Sequence, residues 1–211
     1  MNKPIFIVDL ENNYSNAFTT ALTLRSNYLE RKPGVSPQIF IFSSSSNHLI
    51  FKRDITREEY LRTQDKDIIE VNVHSPGIKE YKWRTSIIVP ENSLIIGALI
   101  PNRRSLGLTS LIIYDALKEI FEKERLKVEG NDIYIDSKKV CGIEEIRIDD
   151  SVIVEAVINV DYKDYINLFD KTLLSWETKD ICGIRDLYSK FDVNKFIDRI
   201  KLDYTDFLDL L

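Results

Sequence analysis

Alternating apolar and polar positions predict a series of short β-strands along the chain. Before residue 100 they cover 5–10, 38–42, 48–51, 68–73, 85–89 and 94–99. The last two runs are almost continuously apolar, which is typical of strands covered on both faces. Two later runs, at 132–148 and 152–160, predict a β-hairpin and one further strand.

Helical periodicity appears between these strands. It is strongest at 109–125, where apolar residues recur at i, i+3, i+4, i+7 and i+8, namely Ile113, Ala116, Leu117, Ile120 and Phe121. Weaker helical patterns cover 16–31, a short segment after Thr56, 161–174 and 193–211. Strands and helices mixed in this way predict an α+β fold, with a mixed or antiparallel sheet flanked by helices.

Composition limits the possible functions. The 211 residues are 44% hydrophobic, which is enough for one domain with a full core. A formal net charge of -5 argues against non-specific nucleic-acid binding, which needs a basic face to neutralise phosphates. No apolar run approaches the roughly 18 residues that span a bilayer, and the N-terminus lacks a signal-peptide pattern. We therefore expect a cytoplasmic protein with no nucleic-acid or membrane partner.

Cysteine and histidine are scarce in the chain. With two cysteines, Cys141 and Cys182, a disulfide framework is excluded. The two histidines, His48 and His74, are far apart in the sequence. No metal site is expected from these residues.

The most specific motif spans 131–143 and reads Asn-Asp-Ile-Tyr-Ile-Asp-Ser-Lys-Lys-Val-Cys-Gly-Ile. Two alternating runs flank a polar turn at 136–138, so the motif predicts a β-hairpin. Its second strand opens with lysine. If side chains alternate strictly, Lys139, Cys141 and Ile143 share one face, and Val140 and Gly142 share the other. Such a strand can aim the Lys139 ammonium into a pocket.

The order Asn-Asp, apolar strand, short turn, Lys-Val-Cys-Gly closely resembles the core of the biotin and lipoate protein ligase superfamily, where Ala or Ser occupies the position of Cys141. The resemblance continues in the segments 105–130, 152–161 and 184–187 and covers most of the chain. It implies a class II synthetase-like ligase domain over 1–175 and a small helical C-terminal appendage over 176–211.

The resemblance also implies roles for residues of the motif. Lys139 would be the catalytic residue that contacts the acyl carboxylate and the phosphate as an adenylate forms; its alternative is a solvated lysine beside Lys138. Asn131 and Asp132 would orient the nucleotide or a metal, or would simply form the turn. Cys141 would line the ligand site or accept an acyl group, unless it is a small buried thiol.

The segment 72–83 departs from the family pattern. Lipoate ligases carry an Arg-Arg-x-[Ser/Thr]-Gly-Gly-Gly-x-x-x-His-Asp loop there, and this chain matches at Ser75 and Gly77 but lacks both arginines, two glycines and the His-Asp pair. Pro76 has no N–H to donate to a phosphate. Ser75, Gly77 and Lys79 are the candidate ligand-binding residues here, with Lys79 supplying a side-chain cation in place of backbone amides.

A basic turn at 102–105 directly precedes the main predicted helix. The N-terminal amides of a helix attract anions, so this turn is a second candidate anion site. The alternative is a cluster of solvated charges.

Two functions follow from the resemblance. The first is an enzyme that transfers a lipoyl, octanoyl or biotinyl group to a lysine of an acceptor protein domain, using ATP and Mg²⁺ if an adenylate forms. Part of its acyl slot would be apolar residues on one strand face, namely Cys141, Ile143, Ile153 and Val157. The second is a non-catalytic binding or assembly protein that keeps the ligase fold, which the altered 72–83 segment favours. In a third arrangement a partner subunit completes the site.

Overall fold

The computed structural model describes residues 4–10, 36–44, 47–51, 68–72, 86–89, 91–101, 105–148, 151–161 and 181–210. The predicted helices at 16–31, after Thr56 and at 161–174 lie outside the described residues, as does most of the 72–83 segment. Within the described part, no helix is both long and apolar enough to cross a membrane.

Within these ranges, ten strands form two sheets. They are β1 Ile5–Asp9, β2 Gln38–Ser43, β3 Asn47–Phe51, β4 Ile68–Asn72, β5 Ser86–Val89, β6 Leu94–Ile100, β7 Leu126–Glu129, β8 Asp132–Ile135, β9 Lys138–Ile148 and β10 Ser151–Ile158. The larger sheet has the order β1-β2-β6-β10-β9-β8-β7, and the smaller has the order β4-β3-β5. In the larger sheet β1 and β2 are parallel, and in the smaller sheet β3 and β4 are parallel. The other pairs of neighbouring strands in these two sheets are antiparallel. The predicted mixed sheet is confirmed.

The described helices are α1 Leu108–Lys118, α2 Ile184–Leu187 and α3 Val193–Asp209. Asp192 caps α3, since its Oδ1 accepts the backbone N–H groups of Asn194 and Lys195 at 3.0 and 3.2 Å. The apolar sides of α1 and α3 pack with the sheet in one core. Helices therefore flank the sheet, and the predicted α+β class is confirmed.

The helix predicted for 109–125 is wrong at its C-terminal end. Regular helix ends at Lys118, a 3-10 turn covers Lys123–Arg125, and β7 follows at once. The helical period of the sequence is overridden because Leu126 and Val128 pair with Ile135 and Ile133 of β8. Pairing along the sheet edge thus decides a stretch whose local pattern suits a helix.

The register divides the larger sheet into two faces, because directly opposed residues point to the same side. We call the side packed against α1 and α3 the helix face. Its buried residues include Ile39, Ile41, Ile96, Ala98, Val154, Ala156 and Ile158. We call the opposite side the site face. Its residues include Phe40, Phe42, Ile95, Gly97, Leu99, Ile153 and Val157.

Candidate functional site

The hairpin of β8 and β9 is shaped by its turn. Asp136 and Ser137 have φ of 50° and 64°, the left-handed values that a two-residue type I′ turn needs at both central positions. The Arg125 guanidinium lies against the Asp136 carboxylate, with Nε–Oδ1 at 3.0 Å and Nη2–Oδ2 at 2.5 Å. This pairing holds the pKa of Asp136 below its usual range. The predicted hairpin and turn are therefore present.

Lys139 lies near the start of β9 and forms an ion pair with Asp132 of β8. The Nζ–Oδ2 distance is 2.7 Å, and the two side chains are 15% and 16% exposed. The solvated lysine considered as the alternative for Lys139 is thus not what the structure contains. The predicted pocket between this hairpin and the 72–83 segment stays a prediction, since that segment is described only at Asn72.

A β-bulge determines where Lys139 points. Cys141 pairs with Ile133, but Lys139 pairs with Tyr134, so Val140 is an extra residue in β9. One extra residue reverses the alternation on one side of the bulge. The predicted sharing of a face by Lys139, Cys141 and Ile143 is therefore wrong.

Gly142 provides independent evidence for this placement. A Cβ built on Gly142 would lie 3.4 Å from Lys139 Cε, 3.5 Å from Lys139 Nζ and 3.6 Å from Asp132 Oδ1. Gly142 is the register partner of both Asp132 and Val157, which places this group on the site face. The ammonium therefore lies over the strand at Gly142, at an ordinary van der Waals distance from where a Cβ would be.

One row of the site face, from Phe42 through Ile95 and Val157 to Gly142, is apolar and leads to this ion pair. Phe40 and Phe42 stack with ring centroids 6.1 Å apart and an interplanar angle of 19°. Gly97 lies opposite Phe40, and Val157 lies opposite Gly142. The apolar slot predicted from one face is therefore split between two. Of the four residues proposed for it, Ile153 and Val157 are on the site face, and Cys141 and Ile143 belong to the helix-face core.

Cys141 is fully buried among core side chains. Burial raises the pKa of its thiol far above the usual value, and the nearby Lys139 charge opposes this only in part. A thiolate is disfavoured in such surroundings, so the geometry does not support Cys141 as an acyl-accepting nucleophile. Cys182 is also buried, and burial raises the pKa of its thiol to about 11.

A C-terminal segment contacts the backbone of the site. We call residues 181–185 the strap. The Cys182 N–H donates to the Lys139 carbonyl at 3.0 Å, and Ile181 forms a parallel bridge with Lys139. Further along, the N–H groups of Ile184 and Arg185 donate to the carbonyls of residues 159 and 160 at 2.9 and 3.0 Å. The strap thus joins the start of β9 to the segment that follows β10.

The N-terminus of α1 is occupied by a carboxylate of β9. Glu145 Oε2 accepts the Gly107 N–H at 2.6 Å, and the Thr109 N–H also bonds to this carboxylate. Burial raises the pKa of Glu145, and the two amides oppose the rise. An anion at this helix end would have to displace Glu145, which argues against the proposed anion site there. Of the 102–105 turn itself, only Ser105 is described, and it is buried.

The other predicted site residues are placed only in part. Asn131 is exposed in the turn between β7 and β8, and its carbonyl accepts the Ile143 N–H at 2.9 Å. Ser75, Gly77 and Lys79 lie outside the described residues. Among the residues that the structure describes, no group of three or more His, Cys, Asp or Glu side chains is arranged to hold a metal ion.

The bulge and the strap were missed from the sequence. An isolated glycine inside a strand pattern indicates a bulge or a close approach of another group, so Gly142 carried a signal for the first. The contacts of the strap with residues 139, 159 and 160 have no such signal, because they are made by backbone N–H groups that every residue except proline carries.

Comparison with solved structures finds the same fold. LipL1 of P. falciparum in complex with lipoate aligns with 98% of this chain at a TM-score of 0.68 and 15% identity, and this chain spans 61% of that protein. Lipoate-protein ligase A bound with ATP aligns with 98% at a TM-score of 0.67 and 13% identity, with 85% of its own length covered.

A bi-partite lipoate protein ligase from Thermoplasma acidophilum, studied with its E2 lipoyl domain, aligns with 96% of this chain at a TM-score of 0.70 and 12% identity, with 83% of its own length covered. No protein-family profile and no curated protein sequence matches the chain. The chain therefore has the fold of the lipoate-protein ligases, as the 131–143 motif predicted.

Proposed function

We propose that this protein is an acyltransferase of the biotin and lipoate ligase type, which activates a lipoate-, octanoate- or biotin-like carboxylate and passes the acyl group to a protein lysine. The observation that carries the proposal is the ammonium of Lys139, which lies on the site face over Gly142 with Asp132 at 2.7 Å. A compact cation beside an apolar strip suits a ligand with an anionic end and an apolar chain.

The residues of the site have separate roles in this proposal. Lys139 contacts the carboxylate of the acyl group and the phosphate that bonds to it, where negative charge develops. Asp132 holds the ammonium in position before the ligand arrives, and its carboxylate would be a ligand for Mg²⁺. Phe40, Phe42 and Val157 contact the apolar chain.

ATP, when bound, supplies the adenylyl group that makes the carboxylate reactive. A carboxylate and an ammonium are the donor set that an Mg-nucleotide and an acyl carboxylate need, and both are present on the site face. The ATP-bound ligase and the lipoate-bound protein of the same fold support this choice of ligands. The acceptor is proposed by analogy with the T. acidophilum ligase, which was studied with its E2 lipoyl domain.

Calorimetric titration with a non-hydrolysable lipoyl- or biotinyl-adenylate analogue tests the proposal. Lys139→Ala should weaken binding about ten- to hundredfold, the effect of losing a charge-assisted contact of about 1.5–3 kcal/mol. Lys127→Ala is the matched control, because Lys127 is 67% exposed on the outer strand β7 and should have no effect. Equal affinity of wild type and Lys139→Ala would remove Lys139 from the site.

The altered 72–83 segment favours a second function, a binding or assembly protein without turnover. Incubation with ATP, lipoate and an unmodified lipoyl domain, followed by mass spectrometry of the domain, distinguishes the two. We expect weak or missing modification by the isolated chain, since the segment lacks both arginines and two glycines of the family loop. A slow but measurable rate would support the acyltransferase, and no modification would favour the second function. Rapid stoichiometric modification would contradict that expectation, and failure to bind any adenylate would support the non-catalytic function.

A further inference from the structure

We propose that the strap is a positioning element for Lys139, so that the ammonium reaches the site face only while residues 181–185 are docked. The effect of the strap on catalysis rests on the proposed function, but its effect on the position of Lys139 does not. The strap lies about 40 residues beyond Lys139 in sequence and contacts it through backbone hydrogen bonding.

The argument begins with the bulge. An extra residue in a strand leaves local carbonyls without their ladder partners in the neighbouring strand. At this bulge, the Lys139 carbonyl accepts the Cys182 N–H at 3.0 Å and the Val140 carbonyl accepts the Asn159 N–H at 2.8 Å. Both donors come from outside β8. The irregular backbone that turns Lys139 to the site face is thus stabilised by the strap and by the end of β10.

The strap is itself held in place. Asp186 Oδ2 accepts the Gly183 N–H at 2.9 Å at the start of α2, and the Asp186 N–H donates to the Gly183 carbonyl at 3.2 Å. Arg185 pairs with Asp161 through Nη1 at 2.7 Å, and Ile184 is fully buried in the core. Because the strap is anchored at three points, the Cys182 N–H is a fixed donor to the Lys139 carbonyl.

Removal of that donor tests the inference. Cys182→Pro deletes the N–H, and Cys182→Ala, which deletes the thiol and keeps the N–H, is the matched control. The exposure of the Lys139 amine is measured by its rate of reductive methylation, which is read by mass spectrometry. We expect Lys139 to be methylated about fourfold faster in Cys182→Pro than in wild type, because its side chain would become as exposed as that of Lys127. The two side chains are 15% and 67% exposed in the structure. Cys182→Ala should stay at the wild-type rate.

A milder pair of variants guards against loss of folding in the proline variant. Asp186→Ala removes the acceptor of the Gly183 N–H, and Asp186→Asn retains an acceptor oxygen. The first should raise the Lys139 methylation rate by a smaller factor, and the second should not. An unchanged Lys139 rate in folded Cys182→Pro, or in Asp186→Ala if the proline variant does not fold, would overturn the inference.

Kinetics then separates positioning from general stability. If the protein forms an adenylate, loss of the donor should lower kcat for its formation more than it raises KM for ATP, and the effect should vanish in a Lys139→Ala background. If the donor only stabilised the fold, its loss would change kcat equally in the wild-type and Lys139→Ala backgrounds. The methylation readout needs no activity, so failure of the proposed function and failure of this inference give different results.

Discussion

The Lys139–Asp132 ion pair should contribute measurably to stability, unlike most surface pairs. At the observed 2.7 Å the gross attraction is about 6 kcal/mol for an effective dielectric constant of 20. Desolvation of two largely buried charges offsets several kcal/mol of it. What is left should resemble a charge-assisted hydrogen bond, about 1.5–3 kcal/mol.

A double-mutant cycle measures this contribution. The variants are Lys139→Met, Asp132→Asn and the double substitution, and the coupling free energy comes from chemical or thermal unfolding. For a chain of this size, 1 kcal/mol shifts Tm by about 2–4 °C, so each single variant should melt roughly 3–12 °C lower. The double variant should lose little more stability than either single variant, because both of its residues are neutral and no charge is left without its partner.

The Lys127–Glu129 pair is the control for the cycle. Its side chains are 67% and 51% exposed, and exposed pairs couple by about 0.2–1 kcal/mol. A Lys139–Asp132 coupling no larger than that of the control would refute the argument from burial. It would also weaken the assignment of Asp132 as the residue that holds the ammonium in position.

Three further outcomes follow from the same region. Gly142→Ala should be tolerated, because its Cβ would lie 3.5 Å from the Lys139 ammonium, an ordinary van der Waals distance, so the adenylate analogue should bind with wild-type affinity by calorimetry; a loss of about tenfold would contradict it. Ser137→Gly should stabilise the fold by about 0.5–1 kcal/mol in denaturant titration, since it relieves a left-handed φ of 64°, and a loss of stability would count against the turn type. Burial raises the pKa of Glu145, so its ionised form is disfavoured in the fold. Wild type should therefore gain stability relative to Glu145→Gln as pH falls from 7 towards 4.5, because the folded state then binds a proton more readily than the unfolded state. A Tm difference between those two proteins that does not change with pH would contradict this.

Much of the architecture could be read from the sequence. Apolar alternation predicted every strand of the larger sheet except β7, and in β2, β6, β8, β9 and β10 burial of one or both faces is what the pattern records. The turn at 136–138 was predicted because polar residues separate two alternating runs there, and the structure places its two central residues at 136 and 137. The helix end at Lys118 was not predicted, since β7 forms through pairing with β8 and not through local preference.

The motif singled out two residues that the structure brings together, but it did not predict their geometry. Lys139 and Asp132 were both identified from the motif, and the structure brings their charges together. The face that they occupy was predicted wrongly, because residue counting assumes a regular strand and the extra Val140 breaks that rule. Ser75, Gly77 and Lys79 stay predictions.

The order of strands in the larger sheet has a kinetic consequence. β7, β8, β9 and β10 are consecutive in the chain and are also neighbours in the sheet, whereas β2 and β6 pair across some 50 residues. Contacts between near neighbours in sequence form faster, because less loop entropy is lost before they are made. Lys139 and its partner Asp132 both belong to the fast group, and the Cys182 donor must arrive from further along the chain. During refolding we expect amide protection in β8 and β9 before that in β2, and pulsed hydrogen exchange showing the reverse order would contradict this. The ammonium and its carboxylate would then meet while the rest of the sheet is still assembling.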